Sequence, residues 1–335
     1  MKLCNVSLRC FLALILLGIL FIIGYSLRGA YPGHFISASL PLRYGGLRGT
    51  IQGTFMGLLY GEEEENEWKA MPDERNGQLP QERWPELNLS MPTASLWPSD
   101  PACSMYNVSF ARNHPETFLV SFPRSGNSWM RYLTEGASGV ATAAVYSSEK
   151  LYHFEMQSDL KKLRGKIILT KTHISSRLAV PDQAPVILLL RNPAKSIVSY
   201  YNYVSSPGGK RWIYNVSYKS YFKQSFVRFA NRQLPAWKKL ARNRLLYSRR
   251  ILVIPYEELR EDPIAQVRRA LAFLGVPADE ARLACLQNHL KGPAMGLQRQ
   301  VDPYSPEQKM AIKKAIANVS DLLQKRNFPP LPAYN

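Results

Sequence analysis

The sequence is poor in cysteine and contains no internal repeat. Its four cysteines among 335 residues are too few to build a disulfide-framework domain. Its 20 glycines and 24 prolines follow no Gly-X-Y period, which excludes a collagen-like chain. No Gly-Lys-Ser/Thr triplet of a Walker A loop occurs, which argues against a P-loop kinase. The remaining composition, 46% hydrophobic and 20% charged, is typical of a folded domain.

Acidic residues are scarce in the C-terminal part of the chain. Residues 113–335 contain 34 Lys and Arg against 15 Asp and Glu, and they account for the formal net charge of +18. No acidic residue occurs between Asp182 and Glu257, an interval that holds 14 Lys and Arg. Such a field concentrates anionic ligands. We expect an anionic nucleotide or an acidic glycan rather than a nucleic acid; a surface kept basic for solubility is the alternative.

The N-terminus carries an uncharged apolar stretch. Residues 10–27 are 18 residues without a charge, near the shortest helix that spans a bilayer. Lys2 and Arg9 precede the stretch, which favours a cytosolic tail at residues 1–9. We therefore expect a transmembrane signal anchor of a single-pass type II protein. A cleaved signal peptide is the alternative, and it would also export the chain.

The segment after this stretch has the composition of a spacer. Residues 28–112 show no sustained periodicity and contain several X-Pro breaks, so we predict a lumenal stem there and the folded domain at 113–335. Cys103 and Cys285 follow the apolar stretch, and they either form a bridge or remain two free thiols. Glycosylation acceptor sequences occur in the same exported part, at Asn88, Asn107, Asn215 and Asn318.

Short apolar segments alternate with helical patterns after residue 113. Strands are predicted at 117–122, 166–170, 185–190 and 250–255. Helices are predicted from a cap at Asn127 or Ser128 to about Glu135, after Arg191 to about Tyr203, and from Asp262 to Gly275. This alternation predicts an α/β fold with a parallel sheet flanked by helices, in which ligands bind at the carboxyl ends of the strands.

The turn after the first strand has the residues of an anion site. It combines a cation, Arg124, with a glycine, Gly126, and with polar side chains at the start of a helix. Glycine permits close approach of the backbone, the helix start offers N–H donors, and arginine offers a fork for oxyanions. An ordinary strand–turn–helix connection is the alternative. The candidate ligands are Arg124, Ser125, Gly126, Asn127 and Ser128.

Two further strand ends carry candidate residues. Arg191 ends one strand and Ser199 lies about two helical turns later, so both side chains can reach one phosphate. Lys171 and His173 lie two residues apart at another strand end, on the same side of the chain. Histidine suits general-base work because its pKa lies near neutrality, although a structural role is the alternative. No cluster with metal-ligand spacing is present in the sequence.

Together these segments resemble the sulfotransferases. SFPRSGNSW at 121–129 is similar to their 5′-phosphosulfate loop, and RNPAKSIVSYYNY at 191–203 to their 3′-phosphate segment. TKTH at 170–173 resembles their Lys-Thr-His strand, and 254–276 their late strand–helix segment. The order agrees, and the likeness is greatest to the sulfotransferase domain of WSC-domain-containing sialate O-sulfotransferases. Arg124 replaces the lysine of cytosolic members, and no cysteine-rich WSC module is present.

The resemblance implies a P-loop-like sulfotransferase fold and a reaction. A sulfuryl group would pass from 3′-phosphoadenosine 5′-phosphosulfate to a hydroxyl of a glycan, expected to be acidic and sialylated, in the Golgi lumen. The scheme implies no metal. A non-catalytic lumenal protein that binds acidic glycans on the same fold is the alternative.

The resemblance also implies roles for individual residues. Residues 124–128 would hold the 5′-phosphosulfate, and Arg191 and Ser199, with Lys291, the 3′-phosphate. Trp129 would lie near the adenine or be a core residue. His173 would be the base, with Arg124 and Lys171 stabilising the charge that develops. Many carbohydrate sulfotransferases use a glutamate instead, so Glu149 and Glu135 are alternative bases.

Overall fold

The computed structural model describes residues 80–146, 151, 153–154, 158–205, 216–292 and 300–334. The predicted tail and signal anchor lie outside these residues, as do positions 28–79 of the predicted stem. Among the helices of the described ranges, none combines the length and the apolarity needed to cross a bilayer.

A parallel sheet forms the centre of the described region. A short antiparallel ribbon, β1 (Ala94–Ser95) and β2 (Asn107–Val108), precedes it. The sheet has five parallel strands in the order β4-β5-β3-β6-β7. The chain leaves the central strand β3 towards β4 and β5 and then crosses to β6 and β7, so the direction of winding reverses between β3 and β6. Ligands of doubly wound sheets bind at this reversal. The strands are β3 (Phe118–Ser121), β4 (Thr142–Ala144), β5 (Leu169–Thr172), β6 (Val186–Leu190) and β7 (Ile251–Pro255).

Helices connect the strands and cover both faces of the sheet. They are α1 (Asn127–Ser138), α2 (Leu160–Leu163), α3 (Pro193–Ser205), α4 (Gln224–Tyr247), α5 (Tyr256–Glu261), α6 (Pro263–Leu274), α7 (Glu280–Asn288) and α8 (Pro306–Lys325). A 3₁₀ helix at Tyr218–Phe222 precedes α4.

Alternate residues of the central strands pack into two separate hydrophobic cores. Leu119 and Ile187 pack in the core that contains residues of α1, α6 and α7. Val120 and Leu188, the next residues along the same strands, pack in the core that contains residues of α3, α4 and α8. Both faces of the strands are therefore covered, which explains why they are continuous apolar runs rather than alternating ones.

The four predicted strands and the three predicted helices are present, one strand being shifted, whereas the β1–β2 ribbon, β4 and the helices α2, α4, α5, α7 and α8 were not predicted. The strand predicted at 166–170 is found at Leu169–Thr172, because Lys166 closes the preceding turn by donating its N–H to Leu163 O at 2.9 Å. Strand β4 was not predicted, because Thr-Ala-Ala is too short and too small to give a strand signal. The helix predicted from Asp262 to Gly275 is confirmed: Asp262 accepts a hydrogen bond from Ala265 N–H, and Gly275 ends the helix with φ 71°.

Part of the predicted stem packs against the core of the folded domain. Leu96, Trp97 and Phe110 are buried in the core on the α1 side, so this part of the predicted stem belongs to the fold. Cys103 forms a disulfide with Cys285, which settles the choice between a bridge and two free thiols. These contacts were not predicted because single buried residues in an irregular segment carry no periodic pattern.

Candidate active site at the carboxyl edge of the sheet

The loop between β3 and α1 contains two residues in the left-handed region. Arg124 has a φ of 64° and Gly126 a φ of 93°. This conformation costs a residue with a side chain about 1–2 kcal/mol, and Arg124 is held in it because its carbonyl accepts a 2.6 Å hydrogen bond from Arg191 Nη1. A Cβ on Gly126 would also lie 2.6 Å from ring carbons of Tyr256. The loop therefore requires glycine at 126 and a long-range contact at Arg124.

Helix α1 begins without a side-chain cap. Gly126 is the N-cap residue, and it has no side chain that could cap the first turn. The prediction of Asn127 or Ser128 as the cap is wrong, because Asn127 turns inward and donates from Nδ2 to Ser121 Oγ at 2.9 Å. The N–H groups of the first turn and the positive end of the helix dipole therefore face the loop, an arrangement that favours anions.

Buried polar atoms line this loop without partners. Ser125 Oγ and Asn127 Oδ1 have no hydrogen-bond partner within the described ranges, and the two residues are 0% and 4% exposed. Arg191 Nε is likewise buried with no acceptor among the residues described. An unpaired buried polar group costs about 1–3 kcal/mol. Asn127 Oδ1 only accepts a hydrogen bond, but the Ser125 hydroxyl and Arg191 Nε–H can donate to an anion. Two such donors beside a positive helix end indicate a site that an anion completes.

Arg191 lies at the end of β6, across the winding reversal from the β3–α1 loop. Its guanidinium lies over the Tyr256 ring, with Cζ 4.4 Å from the centroid. Its carbonyl accepts a 3.0 Å hydrogen bond from Trp237 Nε1, which anchors the strand end. Burial lowers the pKa of Arg191, and Tyr256 and Glu257 oppose the shift. Arginine stays protonated at neutral pH, so a buried cation faces the loop.

Ser199 of α3 contacts Arg124 of the β3–α1 loop. Arg124 Nε donates to Ser199 Oγ at 3.4 Å, and Arg124 Cζ lies 5.3 Å from the centroid of the Tyr203 ring. Arg124 therefore links the β3–α1 loop to α3, and it also contacts Arg191 through its carbonyl. The structure brings the two predicted phosphate segments into one place.

His173 follows β5 directly and is half-buried beside β3. Its Nδ1 lies 2.8 Å from the backbone carbonyl of Ser121. A carbonyl only accepts, so Nδ1 carries the proton and the lone pair of the neutral ring is on Nε2. The backbone N–H of His173 donates to Tyr146 Oη at 3.2 Å, and the two rings stack with centroids 6.1 Å apart.

The pKa of His173 is lowered to about 3. Loss of water around the ring is the largest cause, and the positive charges of Lys171 and Arg124 add to it, whereas the Ser121 carbonyl opposes the shift. The imidazole is therefore neutral at neutral pH and can accept a proton.

Lys171 is buried inside β5, two residues before His173. Its Nζ lies 5.7 Å from the centroid of the Tyr146 ring. A buried ammonium ion needs compensation, which the face of an aromatic ring supplies in part. Lys171 and His173 thus share Tyr146 as a neighbour.

Trp129 and Lys291 are also brought together. Trp129 is 3% exposed, and its Nε1 donates to Leu290 O at 2.7 Å, which places the exposed Lys291 next to the first turn of α1. The Trp129 ring meets Tyr256 edge-on, with centroids 6.4 Å apart. Trp129 is therefore packed against the site as a buried residue.

Tyr256 is the principal site residue that the sequence analysis missed. It contacts Gly126, Arg191 and Trp129, and it lines a cavity of about 300 Å³ together with Lys195, Glu257, Arg260 and Glu261. Its position directly after β7 was the available signal, because strand ends meet at this edge.

The two glutamates that were alternative candidates for the base lie in different parts of the chain. Glu149 lies outside the described residues. Glu135 is buried near the far end of α1, about 12 Å along the helix from Asn127 at the usual rise. It accepts hydrogen bonds from the backbone N–H and the hydroxyl of Thr142 at 2.8 and 2.5 Å, and its second oxygen lies 3.3 Å from His153 Nε2. Glu135 therefore anchors β4 and does not face the loop.

One group of potential metal ligands occurs in the described part of the chain. It comprises Asp100, Cys103 and His289. Cys103 is bonded to Cys285, so its sulfur is not a thiolate ligand. His289 Nε2 lies 2.8 Å from Asp100 Oδ2, and its ring stacks on Trp97 at 5.0 Å. We refer to these five residues as the disulfide clamp; they tie the 97–103 segment to the end of α7.

Residues 114–314, more than half of the chain, match the family described as sulfotransferase domain. The chain is 29% identical over 209 residues to a WSCD family member of Aedes aegypti, a match that covers 61% of this chain and 64% of that protein. It is 27% identical over 197 residues to sulfotransferase 4A1 of Homo sapiens, covering 54% of this chain and 67% of that one. The chain thus spans slightly less than two thirds of the Aedes relative.

A solved structure is similar as well. Mouse sulfotransferase SULT7A1, crystallised with PAP, has a TM-score of 0.44 and 20% sequence identity, with coverage of 65% of this chain and 89% of that chain.

Proposed function

Since the chain belongs to the family described as sulfotransferase domain, we propose that it is a sulfotransferase that transfers a sulfuryl group from 3′-phosphoadenosine 5′-phosphosulfate to a hydroxyl of an acidic glycan. The observation that carries the proposal is the 2.6 Å contact of Arg191 with the carbonyl of Arg124. It joins the two predicted phosphate segments, 67 residues apart, at one edge of the sheet.

The residues present fit an anionic nucleotide. Gly126 opens the loop to close approach, the first turn of α1 presents N–H groups, and Ser125 Oγ is buried without an acceptor or donor in the described ranges. We assign the 5′-phosphosulfate to residues 124–128 and the 3′-phosphate to Arg191, Ser199 and Lys291. We place the nucleoside in the cavity beside Tyr256.

His173 acts as the general base in this proposal. Its lone pair on Nε2 takes the proton of the acceptor hydroxyl while the hydroxyl oxygen forms a bond to sulfur. The bond between sulfur and the 5′-phosphate oxygen breaks, and that oxygen leaves with the bonding electrons on adenosine 3′,5′-bisphosphate. The tautomer of His173, which leaves the lone pair on Nε2, supports this role.

Arg124 and Lys171 stabilise the charge that develops on the leaving phosphate. The positive charges of both residues contribute to the lowered pKa of His173, which places them near the proposed base. Fixed positive charge in a site from which water is excluded stabilises a transition state more than the same charge does in water.

An acidic acceptor and a lumenal location complete the proposal. The exposed face of α4 carries Arg228 and Arg232 within the interval that lacks acidic residues, which favours an anionic partner such as a sialylated glycan. The Cys103–Cys285 disulfide supports an oxidising compartment, consistent with a Golgi membrane protein. The acceptor asparagines Asn107 and Asn318 lie at exposed positions, and Asn88 is half-buried.

The purified full-length chain tests the proposal through donor binding and transfer. We expect adenosine 3′,5′-bisphosphate to bind in calorimetry, and labelled sulfate to pass from the donor to sialylated glycans more readily than to desialylated ones. Arg191→Ala should lose the nucleotide, whereas Arg228→Ala on exposed α4 should retain it.

The outcomes separate the candidate functions. Glycan binding without nucleotide binding would favour a non-catalytic binding protein. Transfer to desialylated and sialylated glycans at equal rates would refute the acidic acceptor while leaving the sulfotransferase reaction in place.

A further inference from the structure

Tyr146 lies level with His173 because of the register of the sheet edge. Strand β4 pairs with β5 so that Ala144 lies opposite Lys171, and Val145 N–H continues the ladder to Lys171 O at 3.0 Å. Tyr146 lies two residues after Ala144 and His173 two residues after Lys171, so these two residues are neighbours as well.

The phenol of Tyr146 holds His173 in two ways. Its oxygen accepts the backbone N–H of His173 at 3.2 Å, and its ring stacks on the imidazole at 6.1 Å and 30°. The opposite side of the imidazole is fixed by Nδ1 on the Ser121 carbonyl. The imidazole is therefore confined between β3 on one side and the residue after β4 on the other.

The same ring fixes the nearest cation. Lys171 Nζ lies 5.7 Å from the centroid of Tyr146, and Lys171 is the charged group that acts most strongly on His173. The other groups that face His173 are Arg124 from the β3–α1 loop and the Ser121 carbonyl of β3, and Tyr200 of α3 interacts with Tyr146. Loss of the Tyr146 ring would remove this contact of the ammonium group.

We propose that Tyr146 is a positioning residue for the sulfuryl-transfer base: its hydroxyl orients the His173 backbone, and its ring holds both the imidazole and the Lys171 ammonium in place. The inference rests on the proposed function of His173. It assigns to Tyr146 no contact with the reacting atoms.

Two substitutions separate the hydroxyl from the ring. Tyr146→Phe keeps the stacking and the cation–π contact, so we expect kcat to fall about tenfold, the scale of one hydrogen bond to a buried group, with the KM for the donor unchanged. Tyr146→Leu removes the ring as well. We expect a larger fall in kcat, and an acid limb of the kcat/KM profile that moves to higher pH because Lys171 no longer repels the protonated imidazole.

Tyr218→Phe and Tyr218→Leu are matched controls, because Tyr218 is 59% exposed and lies on the 3₁₀ helix. Nucleotide binding and the melting temperature of each variant are measured alongside. If Tyr146→Leu does not fold, Tyr146→Phe alone decides. Unchanged kcat in Tyr146→Phe, or an unchanged pH profile in a folded Tyr146→Leu, overturns the proposal. Full turnover by His173→Ala would instead overturn the base assignment on which it rests.

Discussion

The carboxyl edge of the sheet and the disulfide clamp contact the same helix, α1, but they differ in whether their buried polar groups have hydrogen-bond partners. In the clamp, Trp97 Nε1 donates to Tyr132 Oη at 3.0 Å, Tyr132 Oη donates to His289 O at 2.8 Å, and His289 pairs with Asp100. At the sheet edge, Ser125 Oγ and Arg191 Nε are buried and lack partners within the described chain. Paired groups stabilise a fold, whereas unpaired ones are available to a ligand.

The two regions are joined through Trp129. Its hydrogen bond to Leu290 O places the residues after α7 against the first turn of α1. We infer that the two regions have separate roles: the clamp stabilises the fold, and the edge of the sheet binds the nucleotide and carries out catalysis. Changes in the clamp should therefore alter unfolding, and changes at the edge should alter turnover and nucleotide affinity.

His173→Ala should have the largest effect on the edge. Removal of a general base lowers kcat about 10²–10⁴-fold, while the nucleotide residues remain, so the affinity for adenosine 3′,5′-bisphosphate should not change. Labelled-sulfate transfer and calorimetry measure the two quantities. His114→Ala, a half-buried histidine away from the edge, is the control. Loss of nucleotide binding along with turnover would contradict the division of roles within the edge.

Replacement of Cys103 and Cys285 by serine should be the strongest test of the clamp. The bridge closes a sequence separation of 182 residues, so its loss should lower the free energy of unfolding by about 2–5 kcal/mol. Urea denaturation measures this change. At a temperature where the variant is folded, nucleotide affinity should be close to that of the parent chain. A large loss of nucleotide affinity with little loss of stability would contradict the assignment of a stabilising role to the clamp.

Gly126→Ala should damage both stability and binding. The new Cβ has an unfavourable φ of 93° and would lie 2.6 Å from the Tyr256 ring, so an overpacking cost of about 1–3 kcal/mol adds to the backbone cost. Gly165→Ala is a matched control, because its φ is 73° and its Cβ would meet the nearest atom at 3.6 Å. Urea denaturation and calorimetry should find the larger loss at Gly126. Equal losses would remove the clash with Tyr256 as an explanation.

Arg191→Lys should weaken nucleotide binding although it keeps the charge. Lysine cannot reproduce the planar fork that contacts the Arg124 carbonyl and the Tyr256 ring. A charged hydrogen bond contributes about 1.5–3 kcal/mol, so we expect Kd to rise about 10- to 150-fold in calorimetry. A Kd within twofold of the parent would indicate that charge alone serves at this position.

The smallest expected effect is on the pH dependence of stability. His173 has a folded pKa of about 3, below the ordinary value of 6.5, so below pH 6.5 the unfolded chain binds a proton that the folded chain does not. When the pH is lowered from 7 to 5, the free energy of unfolding should therefore decrease in the parent chain. The decrease should be about 1–2 kcal/mol larger than in His173→Gln, which lacks the imidazole. Parallel urea-midpoint curves for the two proteins would refute the lowered pKa.

Much of the site was predictable because it lies at the ends of strands. The residue types of the β3–α1 loop, Arg191 and the Lys171–His173 pair are local signals, and parallel strands bring their carboxyl ends to one edge. The inward turn of Asn127 and the meeting of Ser199 with Arg124 were not predictable, because each depends on a side-chain contact across the chain.

The sequence alone determined four of the five strands of the parallel sheet, both ends of the helix between Asp262 and Gly275, and which residues lie at the ends of those strands, because these depend on local apolar patterns and turn chemistry. Only the tertiary structure decided that Tyr146 holds His173, that Tyr256 closes the glycine loop, and that residues 94–111 join the core. Those outcomes depend on strand register and long-range packing, which no local pattern records.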